Sequence, residues 1–225
     1  MRIWITRAEP GASRTAEKVR ALGHEPVVAP LLEVHALPTA IDLDGVGALA
    51  FTSANGLHAF AERSAERALP VFTVGDATAA AARKAGFTDV TSAGGDLQAL
   101  AGLIAAHAGR IAGAVLAPGP REPAGDLPAA LAAKGKGKGV AARALPLYET
   151  RPRSPPEDMA GIDAALIHSP KAAERLATVM AGRPGPPVYC ISPAAAAPLA
   201  GRPFARVQWG ARPDEDSLLG LLPPP

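Results

Sequence analysis

Short apolar or β-branched runs alternate along this chain with Ala-rich segments whose apolar positions recur at helical spacing. The runs predict strands over Ile3–Thr6, Glu25–Ala29, Ala48–Thr52, Val71–Val74, Asp89–Thr91, Ala114–Ala117, Gly139–Ala142, Ala164–His168, Val188–Ile191 and Arg206–Trp209. The segments between them predict helices over Ser13–Leu22, Asn55–Ser64, Ala77–Ala85, Asp96–His107, Asp126–Lys134, Lys171–Met180, Ala194–Leu199 and Asp214–Leu222. Gly23, Gly86 and Gly135 stand where helices should stop, because a C-terminal cap favours a residue free to adopt positive φ. Strand and helix in alternation read as α/β with parallel sheets. Ten strands are too many for one small doubly wound sheet.

An internal repeat accounts for the excess. Phe51-Thr-Ser-Ala-Asn-Gly-Leu-His-Ala-Phe60 aligns with Ile167-His-Ser-Pro-Lys-Ala-Ala-Glu-Arg-Leu176 at a shift of 116 residues. Val74–Ala81 then aligns with Ile191–Pro198 at 117, Leu100–Ile104 with Leu218–Leu222 at 118, and Gly23 with Gly135 at 112. Each half thus holds five strands, enough for one flavodoxin-like sheet. Two long extended runs, Ala29–Pro38 and Ala142–Pro152, occur at equivalent places early in each half. Either the halves form a simple tandem cut near residue 112, or these runs cross between lobes and the first βαβ of each half completes the other half's sheet. The repeat alone is compatible with both.

Composition narrows the function. Of 225 residues, 48% are hydrophobic and 20% charged, as in a packed globular protein. Net charge is +2, and outside Lys134-Gly-Lys136-Gly-Lys138-Gly139 the basic residues are dispersed, which argues against nucleic-acid binding. The Lys-Gly repeat falls at a helix-to-strand turn and reads as a solvated loop. Aromatics are only 4%, too few for base-stacking platforms or a flavin sandwich. Most basic residues are Arg, the better partner for carboxylate or phosphate, so a small anionic ligand is the partner left most open. The lone Cys190 reads as a buried small hydrophobe in a reducing compartment. The apolar run Gly185–Gly201 carries four prolines and cannot span a membrane as a helix, and Met1–Arg7 is too short and charged for a signal peptide. These features place the chain in the cytoplasm.

An anion needs donors, and helix N-termini supply backbone N–H groups with a favourable dipole. In doubly wound sheets those termini gather at the carboxyl edge of the strands. Ser53, Gly75, Gly119, Ser169 and Ser192 fall at such strand-to-helix turns, with Arg7, Thr52, Asn55 and Thr78 nearby. The competing reading is that these hydroxyl and amide side chains only cap helices. The two roles are compatible, because a capping hydroxyl leaves other donors free. Other chemistries lack support: the five histidines show no metal-ligand spacing, His58 with Glu62 reads as a surface pair, and neither a P-loop nor a nucleophile elbow occurs. His168 and Ser169 are neighbours on a strand end, where side chains point to opposite faces, so they make no base–nucleophile pair.

Taken in order, Thr6-Arg7, Leu22-Gly23, Pro30-Leu-Leu-Glu33, Phe51-Thr-Ser-Ala-Asn-Gly56, Val74-Gly-Asp-Ala-Thr78, Tyr148-Glu-Thr150, His168-Ser-Pro170 and Ile191-Ser-Pro193 resemble uroporphyrinogen-III synthases over nearly the whole chain. The resemblance implies two flavodoxin-like parallel-sheet lobes joined by a two-stranded antiparallel linker, and selects the interleaved arrangement. One lobe would be 1–35 with 149–225 and the other 37–146, their donors lining one cleft. It implies the cyclising dehydration of hydroxymethylbilane, a linear tetrapyrrole, through a spiro intermediate that inverts the last ring to give uroporphyrinogen III. No cofactor or metal is implied, and the expected state is a monomer. Tyr148 matches the family's tyrosine and is the expected acid, the competing reading being a hinge tyrosine packed on a lobe. The carboxylates would be taken by Arg7, Thr52, Ser53, Asn55, Gly75, Thr78, Gly119, Arg121, Ser169 and Ser192.

Two departures from the family pattern stand out. Many members carry a basic residue one turn into the helix after Gly119, whereas here Pro118-Gly-Pro-Arg121-Glu-Pro123 precedes Ala124-Gly125-Asp126, so Arg121 would substitute from the loop. After Ile191 a threonine is common, but Pro193 and three alanines follow here. Two rival classes stand beside this one. A flavin carrier is suggested by Thr73–Thr78, though Asp76 would oppose a phosphate; a non-catalytic two-lobed binding protein for a small polycarboxylate is the other.

Overall fold

The computed structural model describes residues 1–9, 11–134, 140–155 and 161–224. In chain order the elements are β1 (Arg2–Ile5), α1 (Gly11–Ala21), β2 (Glu25–Val28), β3 (Leu32–Ala36), β4 (Val46–Phe51), α2 (Ala54–Ala61), β5 (Val71–Thr73), α3 (Asp76–Lys84), β6 (Val90–Ser92) and α4 (Leu97–Ala106). Then come β7 (Ala114–Pro120), α5 (Leu127–Lys134), β8 (Ala142–Pro152), β9 (Ala164–Ile167), α6 (Pro170–Val179), β10 (Val188–Cys190), α7 (Pro193–Ala196), β11 (Val207–Trp209) and α8 (Glu215–Leu219). The chain divides into two compact units, Met1–Val34 with Arg151–Pro225, and His35–Thr150.

In the first unit the sheet order is β2-β1-β9-β10-β11, all parallel. Successive strand side chains point to opposite faces, so a sheet covered on both sides must be apolar at every position. Trp4, Ala165 and Ile167 accordingly pack on Ala172, Ala173 and Leu176 of α6. Ile3, Ile5, Ala164 and Leu166 pack on the other side, against Ala12, Ala16 and Val19 of α1 and Leu218 and Leu219 of α8. Ala12, Ala16 and Val19 lie at i, i+4 and i+7, one stripe of a helix.

The second unit repeats the design. Its sheet order is β3-β8-β7-β4-β5-β6, and from β8 to β6 every neighbouring pair is parallel. Leu49, Phe51 and Leu116 meet Leu57 and Phe60 of α2, with the Phe51 and Phe60 rings edge-on at 5.9 Å. Ala48, Ala50 and Val115 meet Leu100 and Ile104 of α4 and Leu127 and Leu131 of α5. Setting β3 aside, both sheets follow the flavodoxin-like order 2-1-3-4-5 once the strands are renumbered, with β1 and β7 as strand one. The βαβ from β1 to β2 therefore shares a sheet with β9 to β11, and the βαβ from β7 to β8 shares one with β4 to β6.

Strands β3 and β8 carry the chain between the units. Leu37 N–H donates to the Leu147 carbonyl and Arg153 N–H to the Leu31 carbonyl, each at 2.8 Å. One partner number rises as the other falls, so β3 and β8 run antiparallel.

Several expectations need correction. The helix expected over Ala194–Leu199 is one α turn, Pro193–Ala196, followed by a 3₁₀ turn over Ala197–Leu199, because Pro198 lacks an N–H and its ring crowds the preceding turn. The last helix ends at Leu219 rather than Leu222, with Asp214 outside it as the N-cap. His58 and Glu62 form no surface pair: α2 stops at Ala61, Glu62 is its C-cap, and His58 Nε2 is buried with no hydrogen-bond partner among the described residues. Gly23 and Gly86 do end their helices with φ of 81° and 98°. The expectations for Gly135, the Lys-Gly loop and the start of the Gly139–Ala142 strand lie outside the described residues.

Candidate active site

In a 2-1-3-4-5 sheet the helices switch sides between strands one and three, opening a crevice at the carboxyl ends of those strands. In the second unit that crevice lies between β7 and β4, where Gly119 and Arg121 end one strand and Thr52 and Ser53 the other. Asn55 follows on α2, and Gly75 and Thr78 open α3 beyond the next strand. In the first unit the switch lies between β1 and β9, next to Arg7 and Ser169, with Ser192 at the end of β10.

The three serines cap their helices alike. Ser53, Ser169 and Ser192 have φ of −159°, −159° and −158°, and each Oγ accepts from the N–H three residues on, Gly56, Ala172 or Ala195, at 3.2 Å. Gly75 takes the same backbone conformation, φ −154°, with no side-chain cap. The capping reading therefore holds for all three serines. The remaining first-turn N–H groups of a helix have no partner within it and stay available to an anion.

Around Ser53 the packing is close. A Cβ on Gly56 would sit 2.5 Å from the Pro118 carbonyl oxygen, so only glycine lets the first turn of α2 rest against the end of β7. At that end the ladder shifts: Gly119 pairs with Pro146 but Pro120 with Tyr148, leaving Leu147 as the extra residue of a bulge. Pro120 has no N–H to give the ladder, and Arg121 N–H donates to the Tyr148 carbonyl at 2.7 Å. The bulge lets Leu147 stay in the core while Tyr148 turns its phenol to Ser53, Oη to Oγ 3.3 Å. Tyr148 is only 5% exposed. Burial pushes its phenol above the usual 10.0, and the Ser53 contact pulls the other way. The phenol is protonated throughout the physiological range.

Two carboxylates at these edges escaped the sequence reading. Arg121, mostly exposed, forms an ion pair with the largely buried Glu149. Arg7 Nη1 bonds Glu215 Oε2 at 2.9 Å, and Thr15 Oγ1 donates to Glu215 Oε1 at 2.5 Å. His168 Nε2 stands 3.5 Å from Glu215 Oε2, too long for a hydrogen bond, and both ring nitrogens are buried without a hydrogen-bond partner among the described residues. Burial pushes His168 below 6.5 despite Glu215, leaving the imidazole neutral at pH 7. Burial alone would raise Glu215, but His168, Thr15 and Arg7 together take its carboxyl down to about 2. With His168 neutral, Arg7 is the cation facing that carboxylate. Glu149 and Glu215 gave no signal in sequence because their partners are 28 and 208 residues away.

The structure thus brings Ser53, Tyr148, Gly119 and Arg121 into one contact set in the second unit, and engages Arg7 with Glu215 in the first. Two parallel α/β sheets with serine-capped helix N-termini and a buried tyrosine at a carboxyl edge define a class of paired flavodoxin-like proteins. A family profile for uroporphyrinogen-III synthase HemD matches residues 13–220. The chain belongs to the uroporphyrinogen-III synthase family. Among solved structures, uroporphyrinogen-III synthetase from Helicobacter pylori aligns with a TM-score of 0.67 at 16% identity, covering 98% of this chain and 96% of that one. A mutant uroporphyrinogen III synthase from Thermus thermophilus aligns with a TM-score of 0.57 at 17% identity, covering 98% and 96%. At such identities the likeness is one of fold. No curated protein sequence matches the chain significantly. No helix among the described residues is long and apolar enough to cross a membrane.

Proposed function

We infer that the chain is a lyase that closes hydroxymethylbilane to uroporphyrinogen III with loss of water and inversion of the last pyrrole ring. The observation that carries this is the family match over residues 13–220, on a fold whose strands lead into serine-capped helices. Substrate differs from product by one water, with no net oxidation, so electron balance calls for no redox cofactor, and we propose that none is used.

Tyr148 is the proposed acid. Its O–H protonates the departing hydroxyl, the C–O bond breaks, water leaves, and the azafulvene cation is attacked from within the chain. The proton released from the ring carbon on closure restores the phenol. A neutral phenol suits this task, because its raised pKa keeps the proton in place until the leaving group calls for it. Thr52, Ser53 through its backbone N–H, Asn55, Gly75, Thr78, Gly119 and Arg121 of the second unit, and Arg7, Ser169 and Ser192 of the first, are the proposed carboxylate donors. Orientation carries most of the selectivity, since the bilane also closes unaided to the uninverted isomer.

The proposed lobes are 1–35 with 149–225, and 37–146. A net charge of +2, with the basic residues dispersed along the sequence outside Lys134–Gly139, supports a protein that binds no nucleic acid, and the buried Cys190 thiol, pushed up to about 12 by burial, fits a reducing cytoplasm. A monomer is proposed. The test is to follow hydroxymethylbilane consumption by dialysed, chelator-treated protein. Loss faster than the spontaneous rate supports the reading; loss at the spontaneous rate contradicts it.

A further inference from the structure

The hydrogen-bond arithmetic at Ser53 fixes more than a cap. A serine hydroxyl has one proton and two acceptor lone pairs. One lone pair is used by Gly56 N–H at 3.2 Å, and the next polar atom in reach is Tyr148 Oη at 3.3 Å. Ser53 sits at the N-terminus of α2, where the positive end of the helix dipole makes the hydroxyl a poorer acceptor and a better donor. The favoured direction is therefore from Ser53 to Tyr148. If instead the phenol donated to Ser53, its proton would be spent inside the protein.

We propose that Ser53 is a positioning residue that donates its hydroxyl proton to the Tyr148 phenol oxygen, leaving the phenol's own proton aimed at the substrate and stabilising the phenolate formed when that proton departs. This rests on the reading of Tyr148 as the acid. In the donation step the Tyr148 O–H bond breaks, its proton moves to the leaving hydroxyl, and the negative charge stays on Oη, where Ser53 O–H faces it. Gly56 has a part in the device, because its missing Cβ lets α2 approach β7 closely enough for Ser53 to reach the phenol. Arg121, whose N–H donates to the Tyr148 carbonyl, and Glu149, the next residue of β8, are paired to each other, and the phenol's own shift has two causes, burial and the Ser53 contact.

The test is the pH dependence of kcat and KM for hydroxymethylbilane in wild type, Ser53→Gly, Ser53→Thr and Tyr148→Phe. Glycine is nearly as good an N-cap as serine, so Ser53→Gly removes the hydroxyl and leaves the helix standing, which thermal melting verifies. Ser53→Gly is expected to lower kcat about 3- to 10-fold, the worth of one hydrogen bond, with KM within about twofold. Its alkaline limb moves to higher pH, because a phenolate without its donor is harder to form. Ser53→Thr restores both rate and limb. If Tyr148→Phe slows turnover while Ser53→Gly leaves kcat and the limb unchanged, the positioning role is overturned and the acid stands. A Ser53→Gly effect confined to KM also overturns it, marking Ser53 as a substrate contact only. Wild-type turnover in Tyr148→Phe overturns the acid and, with it, the role given to Ser53.

Discussion

Arg7 and Glu215, 208 residues apart in sequence, meet at 2.9 Å where the loop after β1 touches the first turn of α8. Their side chains are 30% and 20% exposed, so the pair is sheltered yet within reach of solvent. Thr15 of α1 holds the other carboxylate oxygen and Lys18 pairs with the adjacent Asp216, which fastens α8 to α1. Arg7 thus has an intramolecular partner, and its primary effect is expected on the stability of the first unit.

Glu215→Ala should destabilise the protein by about 2–3 kcal/mol, because it leaves a sheltered guanidinium uncompensated. Urea denaturation of the variant beside Lys18→Ala, whose exposed pair is worth under about 1 kcal/mol, provides the check. Equal, small losses in both would show that Arg7 does not depend on Glu215.

Stability should fall in acid in two stages. The folded pKa of His168 lies below its ordinary 6.5, so between those values the unfolded chain binds more protons and stability drops as pH falls. Glu215, at about 2 folded against 4.5 unfolded, contributes stability fully present above pH 4.5 and lost as pH falls towards 2. Chemical denaturation from pH 7 to pH 3 should show the midpoint falling throughout, and Glu215→Gln should flatten the lower part. A midpoint that rises on acidification contradicts the assignment.

Tyr148→Phe should slow turnover about tenfold, less than the roughly hundredfold or more usual for a lost general acid, because the bilane loses its hydroxyl without help as well. Its melting temperature should change little, since the ring stays in place. An unchanged rate removes Tyr148 from the mechanism.

Gly56→Ala should cost about 2–3 kcal/mol, because its methyl would stand 2.5 Å from a backbone oxygen that no rotamer change can move. Activity should fall as well, since any shift of α2 carries Ser53 away from Tyr148. Thermal melting and turnover of the same preparation test both parts; a variant with wild-type values in each would contradict the close approach.

Arg121→Ala should raise KM several-fold and cost no more than about 1 kcal/mol of stability, as the guanidinium is 59% exposed and solvent screens the pair, although Glu149 is largely buried. Steady-state kinetics with urea titration separates the two. An unaltered KM would remove Arg121 from the carboxylate donors.

Much of this was legible in the sequence, and the division has a physical cause. Strands such as Ile3–Ile5 and Ala164–Ile167 announce themselves because a sheet covered on both faces needs unbroken apolar runs. Ser53, Ser169 and Ser192 were readable as caps because a cap is a contact between residues three apart. Tyr148 was found by its place in a motif, but its contact with Ser53 depends on the bulge at Leu147, which arises only when β7 and β8 pair. Glu215 was hidden because nothing near it in sequence speaks of Arg7. At Pro198 two local signals conflict, because the alanines before it favour helix while the proline breaks it.

Ring inversion separates the enzymatic reaction from spontaneous closure, and product analysis tests it most directly. Purified protein is added to freshly generated hydroxymethylbilane, the products are oxidised, and the type I and type III isomers are separated. A predominance of type III is the predicted result. Type I alone, formed at the spontaneous rate, would contradict the account.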